Sequence, residues 1–285
     1  MPERILSTKR RLATIAGFIM HGANVVDVGT DHGYLPIYLA QNGLANRIIA
    51  SDISSGSISS ALITAAKYKG TEGISFIVAP GLSGVGETEV DTVVISGLGG
   101  ETISAILADA PWTKCRNTRL ILQPQSKTGK LCSWLREHGY AISDAKLVRE
   151  KSRLYVVMLA MASLSGSTDN TGAQSGETLQ DSIQAMFGDS SAEREVSPEP
   201  MTNSDSIEET ELLTALSNSG DPLFMEYIDR LISKAFRALE GMARSGAGNV
   251  PSGDAPGIAN ARADGYALMV ARLKYLSEYK KQFIM

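Results

Sequence analysis

The stretch VVDVGTDHGYLP, residues 25–36, places an acid and an imidazole in a glycine turn that follows an apolar run. Open α/β sheets bind nucleotide ligands at such strand-to-helix turns. A dinucleotide fingerprint would need glycine at 29, 31 and 34, but Asp31 and Tyr34 occupy the last two places. A pyrophosphate would repel the Asp31 carboxylate by about 4 kcal/mol at an effective dielectric constant of about 20. S-adenosylmethionine, with its sulfonium and ammonium, would attract it, so the turn favours this ligand over NAD.

Two further aspartates belong to the same predicted site. Asp52 ends the second apolar run, 23 residues after Gly29, where an acid can bind both ribose hydroxyls of either nucleotide. Its alternative role is to cap the helix that follows. Asp27 lies inside the first run, and its carboxylate holds either neighbouring backbone N–H groups or the methionine amino group. Both roles of Asp27 stay open.

The elements that must position these residues follow from an alternation of apolar runs and mixed segments over residues 1–160, which predicts a parallel sheet covered by helices. The predicted strands are 24–29, 47–53, 74–79, 91–97, 119–124, 140–148 and 154–161. The predicted helices are 34–43, 54–70, 101–109 and 127–139. The short linker REKSR makes the last two strands an antiparallel edge hairpin. This is the α/β, Rossmann-like seven-stranded layout of class I methyltransferases.

Two glycine-bearing segments follow the third and fourth strands. In class I enzymes the first place, here VAPGLSGV (78–85), touches the adenine of the methyl donor. The second, VVISGLGGET (93–102), is where amino-methyltransferases hold the target nitrogen. Many of them carry Asn/Asp-Pro-Pro-aromatic there, whereas this chain has Ser-Gly-Leu-Gly-Gly at 96–100. The target is therefore either not an exocyclic amine or positioned by other means.

The remaining chain divides into two predicted segments after a methyltransferase domain at 1–162. Residues 163–205 are rich in Ser, Thr and acidic residues and are expected to be disordered, as a passive insertion rather than a regulated linker. Residues 206–285 form a helical hairpin domain with coiled-coil spacing. Its two seams are Phe224, Ile228, Leu231, Ala235, Ala238 and Met242, and Tyr266, Met269, Leu273, Leu276 and Phe283.

Charge and composition restrict the partners. Residues 1–160 carry 17 Lys/Arg and 13 Asp/Glu, whereas the rest carries 10 and 18, so only the first half is expected to meet a polyanion. Two cysteines and three histidines lack zinc-site spacing, so we expect no metal and ordinary buried cysteines. No apolar stretch suits a membrane span or a signal peptide. We expect a cytoplasmic protein without membrane contact, and a monomer is favoured although its oligomeric state is open.

The motifs NVVDVGTDHGYLPIYL, SDISSGSISSA, GLSGV, VVISGLGGETI, LILQPQSKTGKL and LVREKSRLYVV together resemble those of the bacterial tRNA (adenine22-N1)-methyltransferases. The resemblance covers residues 7–160 and, more loosely, the hairpin at 212–283. The insert at 163–205 departs from the family, and Leu98 stands where many relatives have methionine.

The resemblance implies an S-adenosylmethionine-dependent enzyme that methylates N1 of adenosine 22 in the D-loop region of tRNA. Adenine N1 has a free lone pair, so alignment and electrostatics suffice without a general base. Asp31 either stabilises the cationic product or only binds the cofactor. His32 or Tyr34 orients the flipped adenine, unless Tyr34 only packs the helix start. The predicted cofactor-binding residues are Asp27, Gly29, Thr30, Asp31, Gly33, Asp52, Ile53, Gly81, Leu82, Gly97, Leu98 and Gly99.

The tRNA is expected to meet basic residues and two glutamines of the first half, a mode in which affinity falls steeply with salt. These residues are Lys9, Arg10, Arg11, Gln123, Gln125, Lys127, Lys130, Arg149, Lys151 and Arg153. Whether the helical hairpin contacts tRNA or protein stays open. The alternatives are a class I methyltransferase for another RNA or a small molecule, an NAD-dependent oxidoreductase, and a non-catalytic RNA-binding protein with this fold.

Overall fold

The computed structural model describes residues 6, 9–86, 88–114, 118–163, 208–244 and 256–284, without the side chains of 256–266. The described residues belong to one compact unit, which joins Met1–Ala162 with Ile207–Met285, apart from Ser163. The predicted disorder at 163–205 and the environment of Cys115 lie outside the described residues. Cys132 is buried, as expected.

Seven strands form one sheet. They are β1 Ala23–Val28, β2 Ala45–Asp52, β3 Ile74–Val78, β4 Thr92–Gly99, β5 Arg119–Ser126, β6 Tyr140–Glu150 and β7 Arg153–Ala162. The helices are α1 Arg10–Ala16, α2 Tyr34–Gln41, α3 Ser55–Ala65, α4 Gly100–Ala108, α5 Thr128–Glu137, α6 Thr210–Asn218, α7 Phe224–Arg244 and α8 Pro256–Lys281, with a 3-10 turn at Pro111–Lys114.

The sheet has the order β3-β2-β1-β4-β5-β7-β6. β1 pairs in parallel with both β2 and β4, with Asp27 opposite Ala50 on one side and Val94 on the other. β7 is antiparallel to its neighbours β5 and β6. The predicted Rossmann-like sheet with an antiparallel edge hairpin is thereby confirmed. Strands β2 and β3 are added on one side of β1, and strands β4 and β5 on the other. A crevice therefore opens between the carboxyl ends of β1 and β4, where the order of the strands changes sides.

The sequence did not predict three elements, which are α1, the 3-10 turn and α6. They are short, of 7, 4 and 9 residues. Neither α1 nor α6 has a side-chain hydrogen bond at its N-cap, which removes the usual signal for a helix start. Helix α3 ends at Ala65, earlier than the predicted residue 70.

The C-terminal helices α7 and α8 run antiparallel. The ring of Phe224, at the start of α7, lies 6.4 Å from that of Tyr279 and 5.3 Å from that of Phe283, at the end of α8. Lys280 forms an ion pair with Asp229 between the same helices. The coiled-coil geometry and the separate domain at 206–285 stay predictions. None of the described helices has the length and apolar composition required to cross a membrane.

The C-terminal segment also covers the exposed edge of the sheet. The backbone N–H of Ile142 donates to Glu211 Oε2 at 3.3 Å, and that of Leu147 donates to Asp221 Oδ2 at 2.7 Å. Both donors belong to the edge strand β6. Because unpaired edge N–H groups invite pairing with other chains, the two carboxylates protect this edge.

Replacing Asp221 by alanine tests this contact. Asp221 also accepts from the N–H of Leu223 at 2.8 Å, so two backbone donors lose their partner. We expect a loss of about 1–3 kcal/mol in unfolding free energy and faster amide exchange at Leu147. The matched control is Asp229→Ala, which removes an exposed ion pair and should cost less than about 1 kcal/mol. Equal effects of the two variants would contradict the edge-capping role.

Candidate functional site

A cavity of about 1250 Å³ opens at the carboxyl ends of the central strands. Its wall includes residues that follow β1, β2, β3, β4 and β5, and α1 adds Arg11 and Leu12. Single ligand pockets usually measure about 300–1,000 Å³. The cavity is therefore larger than a usual single-ligand pocket.

The turn after β1 is held by its own hydrogen bonds. Gly29 and Asp31 have positive φ values of 75° and 52°. The N–H groups of Gly29 and Thr30 both donate to Ser51 O, at 2.8 and 3.0 Å. The N–H of Asp31 donates to Asp52 Oδ2 at 3.2 Å, and that of Gly33 donates to Thr30 O at 2.9 Å. These four backbone N–H groups are therefore not free to bind a pyrophosphate. This argues against NAD more directly than the charge of Asp31 does.

Asp27 supplies a buried carboxylate in the cavity wall. Asp27 is 4% exposed, and its Oδ2 accepts a hydrogen bond from Thr30 Oγ1 at 2.8 Å. Burial is the main cause that raises the pKa of Asp27 to about 6, and the nearby charge of Asp52 adds to it, while the Thr30 hydrogen bond opposes it. The partner that the structure shows for Asp27 is thus a side-chain hydroxyl, and binding of the methionine amino group stays a prediction.

Asp52 ends β2 and lines the cavity. Its Oδ1 accepts from the N–H of Ser54 at 2.9 Å. The N-cap of α3 is Ser54 itself, whose hydroxyl accepts from the N–H of Ser57 at 3.3 Å. The alternative that Asp52 caps the helix is therefore wrong, since Asp52 instead joins the two turns that border the cavity.

Asp31, His32 and Tyr34 all line the cavity, as predicted for a shared site. The Asp31 carboxylate is 72% exposed and lies 3.8 Å from His32 Nε2. The rings of His32 and Tyr34 are 5.8 Å apart at 39°. Solvent screens a carboxylate this exposed, so a repulsion of about 4 kcal/mol at this position is an upper bound. The buried acid of the site is Asp27, not Asp31.

The predicted cofactor-binding glycines divide into two groups. Gly29, Gly81 and Gly97 line the cavity together with Thr30, Ile53, Leu82 and Leu98. Gly33 and Gly99 do not line it. A Cβ on Gly33, which has φ 71°, would lie 3.1 Å from the Cβ of Ala61, so this glycine lets α2 and α3 approach. Gly99 is the N-cap of α4. The structure gives both glycines a structural role, and their contact with the cofactor stays a prediction.

Of the residues predicted to contact tRNA, Lys9, Arg11 and Gln125 line the cavity. Gln123 does not, because it is fully buried. Its Oε1 accepts from Arg11 Nη1 at 2.7 Å and its Nε2 donates to Pro124 O at 2.9 Å. Gln123 is therefore unavailable to a base, and this prediction is corrected. It serves to anchor Arg11, whose guanidinium also lies 5.1 Å from the ring of Tyr155.

The other basic candidates lie outside the cavity wall. Lys127 and Lys130 both donate to Glu101 Oε1, at 3.1 and 2.9 Å. Arg149 forms an ion pair with Glu226 of α7. The remaining exposed candidates are Arg10 in α1, Lys151 in the β6–β7 turn and Arg153 at the start of β7.

Several cavity residues were missed by the sequence reading, among them Leu12, Thr102, Ile106 and Trp112. Leu12 and Trp112 belong to the short elements that carried no start signal, and Thr102 and Ile106 read as ordinary positions of an amphipathic helix. Only the strand order, which places these elements around the crevice, identifies them. The described residues contain no group of three or more His, Cys, Asp or Glu arranged to hold a metal.

Comparison with known proteins gives a consistent set of matches. A family model described as a methyltransferase domain matches residues 8–158. Over 157 residues the chain is 34% identical to a tRNA (adenine(22)-N(1))-methyltransferase of Bacillus subtilis, an alignment that covers 55% of this chain and 66% of that protein.

Two solved structures share the fold over nearly the whole chain. The B. subtilis m1A22 tRNA methyltransferase TrmK matches with a TM-score of 0.66 at 24% identity, over 94% of this chain and 100% of that one. M. capricolum TrmK, solved with S-adenosyl-homocysteine, matches with a TM-score of 0.61 at 22% identity, over 96% and 98%. The shared architecture includes the C-terminal helices, since the coverage extends beyond the methyltransferase sheet.

Replacing Asp27 by asparagine should stabilise the protein at alkaline pH. The pKa of Asp27 is raised from 3.8 to about 6, so its ionised form costs the folded state up to about 3 kcal/mol above pH 6. That cost is absent below the unfolded pKa and appears as pH rises through the folded pKa. The Tm difference between Asp27→Asn and wild type should therefore be largest at pH 8 and vanish near pH 4. The matched control, Asp31→Asn at the exposed carboxylate, should leave Tm nearly unchanged, and a pH-independent difference for Asp27→Asn would contradict the assignment.

Proposed function

Because this chain belongs to the methyltransferase family and is 34% identical over 157 residues to a tRNA (adenine(22)-N(1))-methyltransferase, we propose that it methylates N1 of adenosine 22 in tRNA. The methyl donor is S-adenosylmethionine. The observation that carries this proposal is the large cavity at the switch between β1 and β4, which combines a glycine turn held by internal hydrogen bonds with a buried carboxylate.

The residues of the cavity fit S-adenosylmethionine. Gly29 has a positive φ of 75°, which L side chains rarely adopt, and its lack of a side chain leaves the backbone of the turn open to a ligand. Asp52 would bind the ribose hydroxyls, and Ile53 offers an exposed apolar side chain beside it. The ammonium of the methionine part would offset the burial of the Asp27 charge. The cavity wall after β3, at Gly81 and Leu82, would contact the adenine.

When bound, S-adenosylmethionine supplies the methyl group: the adenine N1 lone pair forms the new N–C bond while the electron pair of the breaking C–S bond passes to sulfur. No proton leaves N1, so the protein needs no general base there. Its residues align the base and stabilise the positive charge that forms on the adenine. Asp31 offers a carboxylate for that charge, and His32 and Tyr34 offer rings at the same end of the cavity for stacking on the flipped base.

A positive surface beside the cavity supports the choice of tRNA. Lys9 lines the cavity, and Lys127 and Lys130 stand at the start of α5, next to the end of β5. The segment that holds α7 and α8 adds to this charge. Residues 161–223 carry 1 Lys/Arg and 12 Asp/Glu, whereas residues 224–285 carry 9 and 6. The acidity of the second half therefore lies before α7, and the positive excess of residues 224–285 is compatible with an RNA contact. We further propose a cytoplasmic location, where tRNA is modified, and leave the monomer as a prediction.

The direct test uses purified full-length protein, labelled S-adenosylmethionine and unmodified tRNA transcripts that contain adenosine 22. We expect N1-methyladenosine at position 22 by nucleoside mass spectrometry, and none in a transcript with guanosine at that position. Asp27→Asn should bind S-adenosylmethionine at least tenfold more weakly than Asp31→Asn, because a buried ion pair lost on one side costs more than an exposed one. Methylation of a small molecule or of another RNA, with none in tRNA, would overturn the proposed substrate.

The lysine pair on α5 gives a separate test of RNA contact. Lys127→Ala with Lys130→Ala should lower the magnitude of the slope of log affinity for tRNA against log salt by about 1–2, because each phosphate contact contributes about one counterion. Glu101→Gln should strengthen binding at low salt, since Glu101 now occupies both ammonium groups. Fluorescence anisotropy with labelled tRNA measures both. An unchanged slope in the double variant would exclude this pair from the contact.

A further inference from the structure

The two glutamines at the end of β5 have opposite environments. Gln123 is buried and uses both ends of its carboxamide within the protein. Gln125 is exposed and lines the cavity. Among the described residues no hydrogen bond involves its carboxamide, and no other Gln or Asn lines the cavity wall. A donor and an acceptor on one planar group thus face the cavity at a single position.

The carboxyl ends of the strands fix the place of Gln125 relative to the cofactor residues. Asp52 ends β2, Gly29 follows β1, and Leu98 in β4 lies beside Gly29. On the far side of β4, a Cβ on Gly97 would lie 3.5 Å from Gln125 Nε2. With the donor nucleoside over β2 and β1, the methyl group points toward β4. The acceptor base then occupies the part of the cavity between β4 and β5, where Gln125 stands.

The backbone around Gln125 is irregular in a way that redirects side chains. The register of β4 against β5 shifts on both sides of Leu98, between Ser96 and Leu98 and between Leu98 and Gly99. Gly97 has φ 83° at this irregularity. Bulges next to active sites commonly re-aim a side chain, and this one clears space beside the Gln125 carboxamide.

The chemistry of the target limits how it can be recognised. N1 must face the methyl donor, so the Watson–Crick edge of the adenine is not free for base reading. The Hoogsteen edge remains, with the N6 amino group as donor and N7 as acceptor. A carboxamide is complementary to this pair and binds adenine through both atoms. Guanine has O6 in place of the amino group, so the carboxamide oxygen would face a second acceptor.

We propose that Gln125 reads the target adenine, its Oε1 accepting from N6–H and its Nε2 donating to N7, and so turns N1 toward the methyl donor. This role deepens the proposed function and rests on it. Gln125 is then the residue that sets base specificity, whereas His32 and Tyr34 contact only the ring face, which all bases share.

The test couples one protein group to one base atom. Methylation is measured with tRNA carrying adenosine or 7-deazaadenosine at position 22, for wild type, Gln125→Ala and Gln125→Glu. We expect wild type to lose about tenfold in kcat/KM on the 7-deaza substrate, which lacks the N7 acceptor. Both variants should be slower on adenosine. The adenosine-to-7-deaza ratio of kcat/KM should be about tenfold higher for wild type than for Gln125→Ala, because the alanine variant does not donate to N7. Gln125→Glu should prefer the 7-deaza substrate relative to Gln125→Ala, because its second carboxylate oxygen faces the N7 acceptor of adenosine.

The matched control is Gln282→Ala, an exposed glutamine beyond the end of α8, which should keep the wild-type ratio. Using the ratio between variants cancels the change in N1 basicity that the 7-deaza group introduces. S-adenosylmethionine affinity should be unchanged in all variants, which separates a base contact from a folding defect. A Gln125→Ala enzyme with the wild-type 7-deaza ratio overturns the Gln125 role while leaving the proposed function intact. Failure of wild type to methylate tRNA overturns both.

Discussion

The parallel pairing of β1 with both β2 and β4 is the constraint on which the site depends. It aligns the ends of three strands, so that Ser51 at the end of β2 can accept two N–H groups of the turn after β1. Asp52 accepts a third, from Asp31. In many nucleotide sites the backbone N–H groups of such a glycine turn bind phosphate. Here three of them bind residues of the neighbouring strand β2 instead. The same turn can approach a cationic nucleoside ligand because its glycines carry no side chain.

The buried carboxylate of Asp27 lowers the stability of the fold, although it suits the binding of a cation at the site. Its carboxylate lies in the wall of the cavity at the end of a buried strand, where burial raises its pKa to about 6. A neutral residue would suit the fold better at neutral pH, and the Thr30 hydroxyl compensates only part of the cost. In the proposed function a ligand ammonium would supply the missing opposite charge. The free energy that the folded protein loses at this position would then be regained as affinity for a cation.

The sequence predicted the seven strands and the residues at their carboxyl ends, because apolar runs and glycine turns encode both locally. It did not separate Gln123 from Gln125, since exposure alternates along a strand and nothing local tells which face meets the cavity. Nor did it separate Asp27 from Asp31 as the buried acid. It missed α1, which supplies Leu12 and Arg11 to the wall, because seven residues carry too little periodicity. These distinctions depend on tertiary contacts between distant segments.

The buried residues of the C-terminal helices share a core with the sheet. Leu212, Leu216 and Ile228 belong to the same buried cluster as Leu131 of α5. Three of their acidic residues pair with the sheet, since Glu211 and Asp221 accept from β6 and Glu226 pairs with Arg149. Three others, Asp229, Glu240 and Glu278, pair with basic residues of the same helices. One segment therefore both closes the sheet edge and extends the core of the sheet.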